Sequence, residues 1–179
     1  MKRIGIFCAV LAIGLMFTGC SAENLVNSAG GGSASSQTQS AASSEAPASS
    51  ALSAGSVSDD LAGLQKYLTA NAGFTGTPEK MQADIIGAKE GVRYAFSHGG
   101  KNNVSAELYE YDTGSLGETA QKILADVQKD GKFILMGQEI NAVLSDNGKY
   151  LMIYKNSATD DDNKSYDAKV SELFRSFHS

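Results

Sequence analysis

Residues 142–154 read AVLSDNGKYLMIY, and this stretch decides how the folded part of the chain is built. Two apolar runs flank the pair Asn147-Gly148. Such a pair between apolar runs is the strongest short-range signal of a β-hairpin, because both residues tolerate the positive φ of a type I′ turn. The stretch therefore predicts two antiparallel strands joined by a tight turn.

A second hairpin is predicted upstream. Apolar and polar residues alternate in 92–96 (VRYAF) and again in 104–110 (VSAELYE), as expected of strands with one buried face. The segment between them, HGGKNN at 98–103, consists of turn-forming residues. Residues 133–136 (FILM) add a short apolar strand.

Three segments have the apolar spacing of amphipathic helices. The first follows the acids at 59–60 and ends near Gly73. The second has Ser115 and Glu118 in the spacing of a capping box and ends before Gly131. The last follows the acids at 160–162. Residues 77–88 fit either a helix or a strand.

This order of elements predicts a single globular α+β domain over residues 58–179. Strands that come as hairpins form a mainly antiparallel sheet, and we expect the helices to pack on one face of it. The segment of about 120 residues is long enough for one modest hydrophobic core.

Composition narrows the class of protein. The chain has 179 residues, of which 42% are hydrophobic and 20% charged, and this excludes collagen, multispan membrane proteins and a disordered polyelectrolyte. A formal net charge of −5 argues against nucleic-acid binding, which needs a basic face. Two cysteines are too few for a disulfide framework or a cysteine-based zinc site.

The N-terminus carries the pattern of an export signal. Lys2 and Arg3 precede the almost wholly apolar run 4–17. This run is shorter than the roughly 20 residues that a membrane-spanning helix needs. A basic start followed by a short apolar run is typical of a signal peptide, which we assign to residues 1–19.

Residues 17–20, Phe-Thr-Gly-Cys, resemble the lipobox of bacterial lipoproteins, with Phe17 at the position where that family prefers Leu. In that family the cysteine receives a diacylglyceryl group and the signal is cleaved just before it. The resemblance implies that Cys20 is lipidated and anchors the protein at the extracytoplasmic face of a bacterial cell membrane. The alternatives are an ordinary secretory signal and an uncleaved anchor.

Residues 20–57 are predicted to form a flexible tether. Ser, Ala and Gly make up 23 of the 30 residues in 28–57, which include one charged residue and no aromatic one. Such a segment cannot bury enough apolar surface to offset its ordering entropy. Its root-mean-square reach is about 30 Å, so that it would hold the domain off a lipid surface.

The domain contains no motif that gathers catalytic or metal-binding side chains. His98 and His178 have no cysteine, histidine or patterned acid nearby, whereas a metal site needs several convergent ligands. A run that starts at Asp161 faintly resembles a calcium loop, but Tyr166 stands where that loop needs glycine. We therefore predict no metal, no cofactor and no catalytic residue.

Tyrosines in the predicted strands are candidate binding residues, because an exposed aromatic face suits recognition, although packing in the core is their alternative. The five candidates are Tyr94, Tyr109, Tyr111, Tyr150 and Tyr154. We expect a non-catalytic lipoprotein domain that binds a protein, a peptide or a cell-wall ligand.

Two other functions stay open. A carboxylate-dependent hydrolase of envelope or nutrient polymers would use Glu107, Glu110 or Glu139, and two of these would have to share one pocket. A purely structural role in the envelope is the second alternative.

Overall fold

The computed structural model describes residues 51–179. The predicted signal peptide, Cys20 and the tether up to residue 50 lie outside the described residues. None of the helices within 51–179 combines the length and the apolar character that crossing a membrane requires. The elements are α1 (Leu61–Ala72), β1 (Glu79–Lys80), β2 (Glu90–Phe96), β3 (Val104–Glu110), α2 (Glu118–Asp130), β4 (Lys132–Leu135), β5 (Gln138–Asn141), β6 (Val143–Leu144), β7 (Tyr150–Asn156) and α3 (Asp161–Arg175).

Five of the strands form one sheet, and the other two form a separate hairpin. The order in the sheet is β1-β2-β3-β7-β6, and β4 pairs with β5. All of these pairings are antiparallel, which confirms the predicted α+β class with a mainly antiparallel sheet. The segment 77–88 contains both strand β1 and a short 3-10 helix over Ala83–Ile86.

The sheet carries a core on each face, because successive strand residues point to opposite sides. On the first face, Ala106 and Leu108 pack with side chains of α1 and α3. On the second face, Tyr109 and Leu151 pack with α2 and with Phe133 of β4. The expectation that the helices share one face therefore holds for α1 and α3, whereas α2 covers the other face.

The β6–β7 hairpin forms with a longer loop than a type I′ turn would give. Ser145 donates its backbone N–H to the Tyr150 carbonyl, so that the loop spans 146–149. Gly148 has φ +72°, but Asn147 is not in the left-handed region. The Asn147 side chain instead accepts the backbone N–H of Lys149 at 3.0 Å, as asparagine does in turns.

Helices α1 and α3 begin at aspartates, as the acidic segments before them predict. The carboxylates of Asp60 and Asp160 accept backbone N–H groups three residues on, at 2.7 Å and 3.1 Å. These hydrogen bonds lower the pKa of both carboxyls. The predicted capping box of α2 is wrong, because the helix begins only at Glu118 and its N-cap is Gly117 instead of Ser115.

The folded domain begins before residue 58. Leu52 donates its N–H to Asn71 Oδ1 at 2.9 Å, and Asn71 Nδ2 donates to the Leu52 carbonyl at 2.8 Å. Ala54 and Val57 pack against the first-face core. A 3-10 helix over Ala54–Ser56 turns the chain toward that core. Residues 51–57, predicted as the end of the tether, are therefore part of the domain.

We expect residues 51–57 to stabilise the domain measurably. A protein of residues 51–179 should have a free energy of unfolding about 1–3 kcal/mol higher than one of residues 58–179. The shorter protein loses two hydrogen bonds, worth about 1 kcal/mol each, and the apolar contacts of Val57. Urea denaturation measures the difference.

Asn71→Ala provides the control, because Asn71 makes both hydrogen bonds to Leu52. It should destabilise the longer protein by about 1–2 kcal/mol and the shorter one by less. Equal urea midpoints for the two lengths would contradict the assignment of 51–57 to the domain.

Candidate functional site

Four of the five candidate tyrosines are core residues. Tyr111 and Tyr150 are fully buried, and Tyr94 and Tyr109 are 4% and 5% exposed. Their hydroxyls have partners inside the domain: Tyr150 donates to Asp59 Oδ1 at 2.7 Å and Tyr111 to the Ile86 carbonyl at 3.3 Å. Burial raises the pKa of the Tyr111 and Tyr150 hydroxyls. Tyr94, Tyr111 and Tyr150 expose too little surface for a ligand and do not line the groove described below, which corrects the binding role predicted for them. Tyr109 is buried to the same degree but lines that groove.

Tyr154 and Tyr109 lie on opposite faces of the sheet. Tyr154 packs against the first-face core, and its hydroxyl donates to Asp167 Oδ1 at 2.7 Å. Tyr109 belongs to the second-face core, and its hydroxyl donates to Glu107 Oε2 at 2.9 Å. The five tyrosines therefore do not form a single aromatic face. Tyr109 is the one that lines the largely apolar groove described next.

This groove lies on the second face of the sheet and has a volume of about 430 Å³. Its floor is formed by β3 and β7, one wall by the segment 80–86 and the other by the β4–β5 hairpin. We call it the second-face groove. Its aliphatic lining consists of Met81, Ile85, Ile86, Leu135, Ile140 and Ile153.

The second-face groove exists because α2 and the β4–β5 hairpin cover only part of the sheet. Tyr109 and Leu151, which are opposite each other in the β3–β7 register, are buried under this cover. The next pair on the same face, Glu107 and Ile153, is half-buried. Lys155, one step further along β7, is exposed. The groove lies where the cover ends.

Gly91 determines where the Tyr109 ring lies. The two residues are opposite each other in the β2–β3 register. A Cβ atom on residue 91 would lie 2.5 Å from Cδ1 of the Tyr109 ring, closer than any side chain permits. The ring can therefore lie flat over the glycine backbone, a recognised way of covering glycine in a sheet. This leaves the Tyr109 hydroxyl pointing toward Glu107.

Charges of both signs lie at the groove. Lys80, Lys155 and Glu107 line it, but Lys80 is opposite Val92 in the β1–β2 register and therefore has its side chain on the first face. On the second face, Arg93 is opposite Glu79 of β1 and Glu107 of β3. Burial, and then the negative charge of Glu107, raise the pKa of the Tyr109 hydroxyl, which therefore stays a neutral donor. Among residues 51–179, neither lysine has an acidic partner within 4 Å.

Two exposed apolar side chains lie in or beside the walls of the groove. Ile85 belongs to one wall, and Met136 lies at the tip of the hairpin that forms the other. Ile134 is also exposed, but it alternates with Leu135 along β4 and therefore points away from the groove. Met136 is 87% exposed and has φ +50° in the turn between β4 and β5. A left-handed conformation costs a non-glycine residue about 1–2 kcal/mol. The hairpin therefore presents a methionine at its tip at a cost in stability.

The β4–β5 hairpin differs from the expectation, since the sequence pattern predicts residues 133–136 as a single strand without a partner. The available signal was the pair Met136-Gly137 between two four-residue extended segments, although methionine is an unusual residue for the first position of such a turn. The groove itself had no local signal, because its lining comes from positions between 80 and 155.

No protein-family model, curated protein or solved structure matches this chain. Function is therefore argued from the geometry of the domain itself.

The two histidines are separated from each other and from the groove lining. His98 stacks on Tyr166 with ring centroids 3.6 Å apart, and its Nε2 lies 3.5 Å from Asp162 Oδ2 without hydrogen-bond geometry. His178 Nε2 lies 3.2 Å from the Val57 carbonyl. Within residues 51–179, no group of three or more His, Cys, Asp or Glu side chains is arranged to hold a metal ion.

The three carboxylates of the hydrolase alternative occupy three different environments. Glu107 lines the groove, and Glu139 is an exposed partner of Lys132 at 2.8 Å. Glu110 is 3% exposed and accepts the Leu61 N–H, the first of α1, at 2.7 Å. Lys89 and Lys149 lie 3.2 Å and 3.6 Å from the Glu110 carboxylate. Each carboxylate is thus engaged by its own partners, and Glu110 joins the sheet to the start of α1.

We expect Glu110 to be a structural residue. Glu110→Ala should lower the free energy of unfolding by about 2–3 kcal/mol, because it removes the acceptor of a buried N–H and the partner of two lysines. Glu139→Ala, which breaks an exposed ion pair, should change it by less than about 1 kcal/mol. Urea denaturation of both variants measures this; equal stabilities would contradict the assignment.

Proposed function

We propose that this protein is a lipid-anchored lipoprotein on the extracytoplasmic face of a bacterial membrane, whose domain binds a ligand in the second-face groove without catalysing a reaction. The lipobox-like residues 17–20 and the Ser/Ala/Gly-rich segment after them support the anchoring. The binding role depends on one observation, the largely apolar groove with the exposed Ile85 in its wall.

The groove has the properties of a ligand site. Its volume of about 430 Å³ falls within the range of about 300–1,000 Å³ found for small-molecule sites. Such sites are mostly apolar with a few placed polar groups, which here are Glu107 and Lys155. Ile85 lines the groove and is exposed, so that apolar surface of the groove is accessible to a ligand.

The arrangement of acids supports recognition over hydrolysis. Acid–base catalysis needs two groups that lie close to the same bond of the substrate and whose pKa values are near the working pH. Glu107 is the carboxylate of the groove, and its neighbour Tyr109 keeps its proton because burial raises the pKa of the hydroxyl. Glu110 and Glu139 do not line the groove.

The tether would keep the binding domain close to the bilayer. About 30 residues separate Cys20 from residue 51, and a flexible segment of this length reaches about 30 Å on average. A domain of this size has a radius of gyration of about 14 Å. A ligand in the groove would therefore be held within a few tens of ångströms of the membrane.

Cys20 should carry the anchor. Cys20→Ser should abolish acylation and release the protein from membranes or leave an uncleaved precursor. Two or more acyl chains hold a protein stably on a bilayer, whereas one holds it marginally. Mass spectrometry of the mature N-terminus measures this, with Cys8→Ser as the matched control that should keep the anchor. An unmodified Cys20 at the mature N-terminus would contradict the lipoprotein assignment.

The groove should contact the ligand in cells. A photo-crosslinking amino acid placed at Ile85 or Met136 of the full-length chain should give adducts after irradiation, because Ile85 is exposed in one groove wall and Met136 at the tip of the hairpin that forms the other. The mass shift of the intact protein reports small ligands and protein partners alike. The same amino acid at Lys169, exposed on α3, is the control and should give none. Equal adducts from Lys169, or none from the groove, would favour a structural envelope role.

A further inference from the structure

The Asn147-Gly148 pair has a chemical property that its place in the β6–β7 loop does not explain. It is the only Asn-Gly pair in the sequence. Asparagine is among the thermolabile residues. It loses its amide most readily before glycine, because a following residue without a side chain lets its backbone nitrogen approach the asparagine Cγ. Asn147 is exposed, so that water reaches it. The pair therefore has the composition of a deamidation site.

The folded loop holds both reacting groups in place. Asn147 Oδ1 accepts the Ser145 hydroxyl at 2.7 Å and the Lys149 N–H at 3.0 Å. The nitrogen of Gly148 would have to attack, but its N–H donates to the Ser145 carbonyl at 2.9 Å. This hydrogen bond must break before the nitrogen can lose its proton and attack. The closed loop therefore opposes the reaction.

The Asn147 amide also fastens the end of the chain to the loop. Asn147 Nδ2 donates to the carbonyls of Phe177 and His178, each at 3.3 Å. We call residues 177–179 the C-terminal segment. The two N–H groups of this one amide thus serve two carbonyls of the C-terminal segment, while its oxygen serves the loop.

The C-terminal segment is packed in turn against the start of the domain. Phe177 is fully buried, and its ring centroid lies 5.3 Å from that of Tyr67 on α1. His178 has φ +51°, and its Nε2 lies 3.2 Å from the Val57 carbonyl. Chain ends that lack such contacts are poorly ordered. The Asn147 amide therefore supports a set of contacts that extends to residues 51–57.

We propose that Asn147 is a deamidation site that reacts when the C-terminal segment and the loop open, and that its reaction keeps the segment from docking again. In the open form the Gly148 nitrogen loses its proton to solvent and attacks the Asn147 Cγ. The bond between this nitrogen and Cγ forms, the Cγ–Nδ2 bond breaks, and Nδ2 takes up a proton from solvent and leaves as ammonia. Water then opens the cyclic imide at either carbonyl, which gives aspartate or isoaspartate.

The product cannot replace the amide in its contacts with the C-terminal segment. An ionised carboxylate has no N–H to donate to the carbonyls of Phe177 and His178, and their oxygens repel its negative charge. Isoaspartate also lengthens the main chain of the loop. Because the reverse reaction needs ammonia, the opened form accumulates.

Peptide mapping by mass spectrometry tests the control by the fold. The full-length chain in a mild non-ionic detergent is incubated at pH 8 with and without guanidinium chloride, and aspartate and isoaspartate at residue 147 are quantified. We expect conversion in the folded chain to be at least tenfold slower than in the unfolded chain. Asn141, which is exposed and precedes Ala142, is the internal control and should convert more slowly than Asn147 in denaturant.

His178→Ala tests whether opening of the C-terminal segment controls the rate. The substitution removes the ring that contacts Val57 and Phe177 and keeps the backbone carbonyl that accepts the amide. Conversion in the folded variant should be at least threefold faster, with an unchanged rate in denaturant. His98→Ala removes the other histidine ring, which stacks on Tyr166, and should leave both rates unchanged. Thermal melting confirms that both variants are folded.

Asn147→Asp reproduces one product of the reaction. In this variant the backbone amides of 177–179 and of 52–57 should exchange with deuterium at least fivefold faster than in the unmodified chain. Asn141→Asp introduces the same charge at another exposed asparagine and should leave this exchange unchanged.

Each other outcome overturns a defined part of the proposal. Equal conversion in the folded and unfolded chain would overturn the control by the fold, and no conversion in denaturant would overturn the site itself. A rate that His178→Ala does not change would overturn the control by the C-terminal segment. Unchanged exchange in Asn147→Asp would show that the product docks as the amide does.

Discussion

The pairing of β3 with β7 is the constraint on which the rest of the domain depends. It joins strands that are far apart in the chain, with Glu110 opposite Tyr150 and Val104 opposite Asn156. Because side chains alternate along both strands, this one register supplies the centre of both cores. A slip by one residue would move every side chain to the wrong face. The helices, the second hairpin and the groove all take their positions from it.

Much of the fold follows from local patterns in the sequence. Alternation in 92–96 and 104–110 predicts the β2–β3 hairpin, and helical spacing predicts all three helices. The face that α2 covers does not follow from its own spacing, since an amphipathic helix can lie on either side of a sheet. The run YLMIY at 150–154 does indicate that both faces of the sheet are covered. Its residues are apolar at every position, so the side chains on each face need a layer of structure over them.

The candidate site was far less predictable. Tyrosine favours strands in general, but whether Tyr94 or Tyr109 reaches the surface depends on which helix covers its face. The groove brings together side chains from the segment after α1, the β4–β5 hairpin and the two central strands. The start of the domain at 51–57 could not be predicted for a similar reason. The composition of this segment indicates that ordering it costs entropy, but it does not show the hydrogen bonds with Asn71 that offset this cost.

The attachment of residues 51–57 also has a mechanical consequence. The chain enters the domain beside α1, against the core of the first face, whereas the groove lies on the second face. A pulling force transmitted from residue 50 would act first on the two hydrogen bonds between Leu52 and Asn71, and then on α1. The first-face core would have to yield before the force reached the walls of the groove. Tension on the side where the chain enters would thus reach the walls of the second-face groove last.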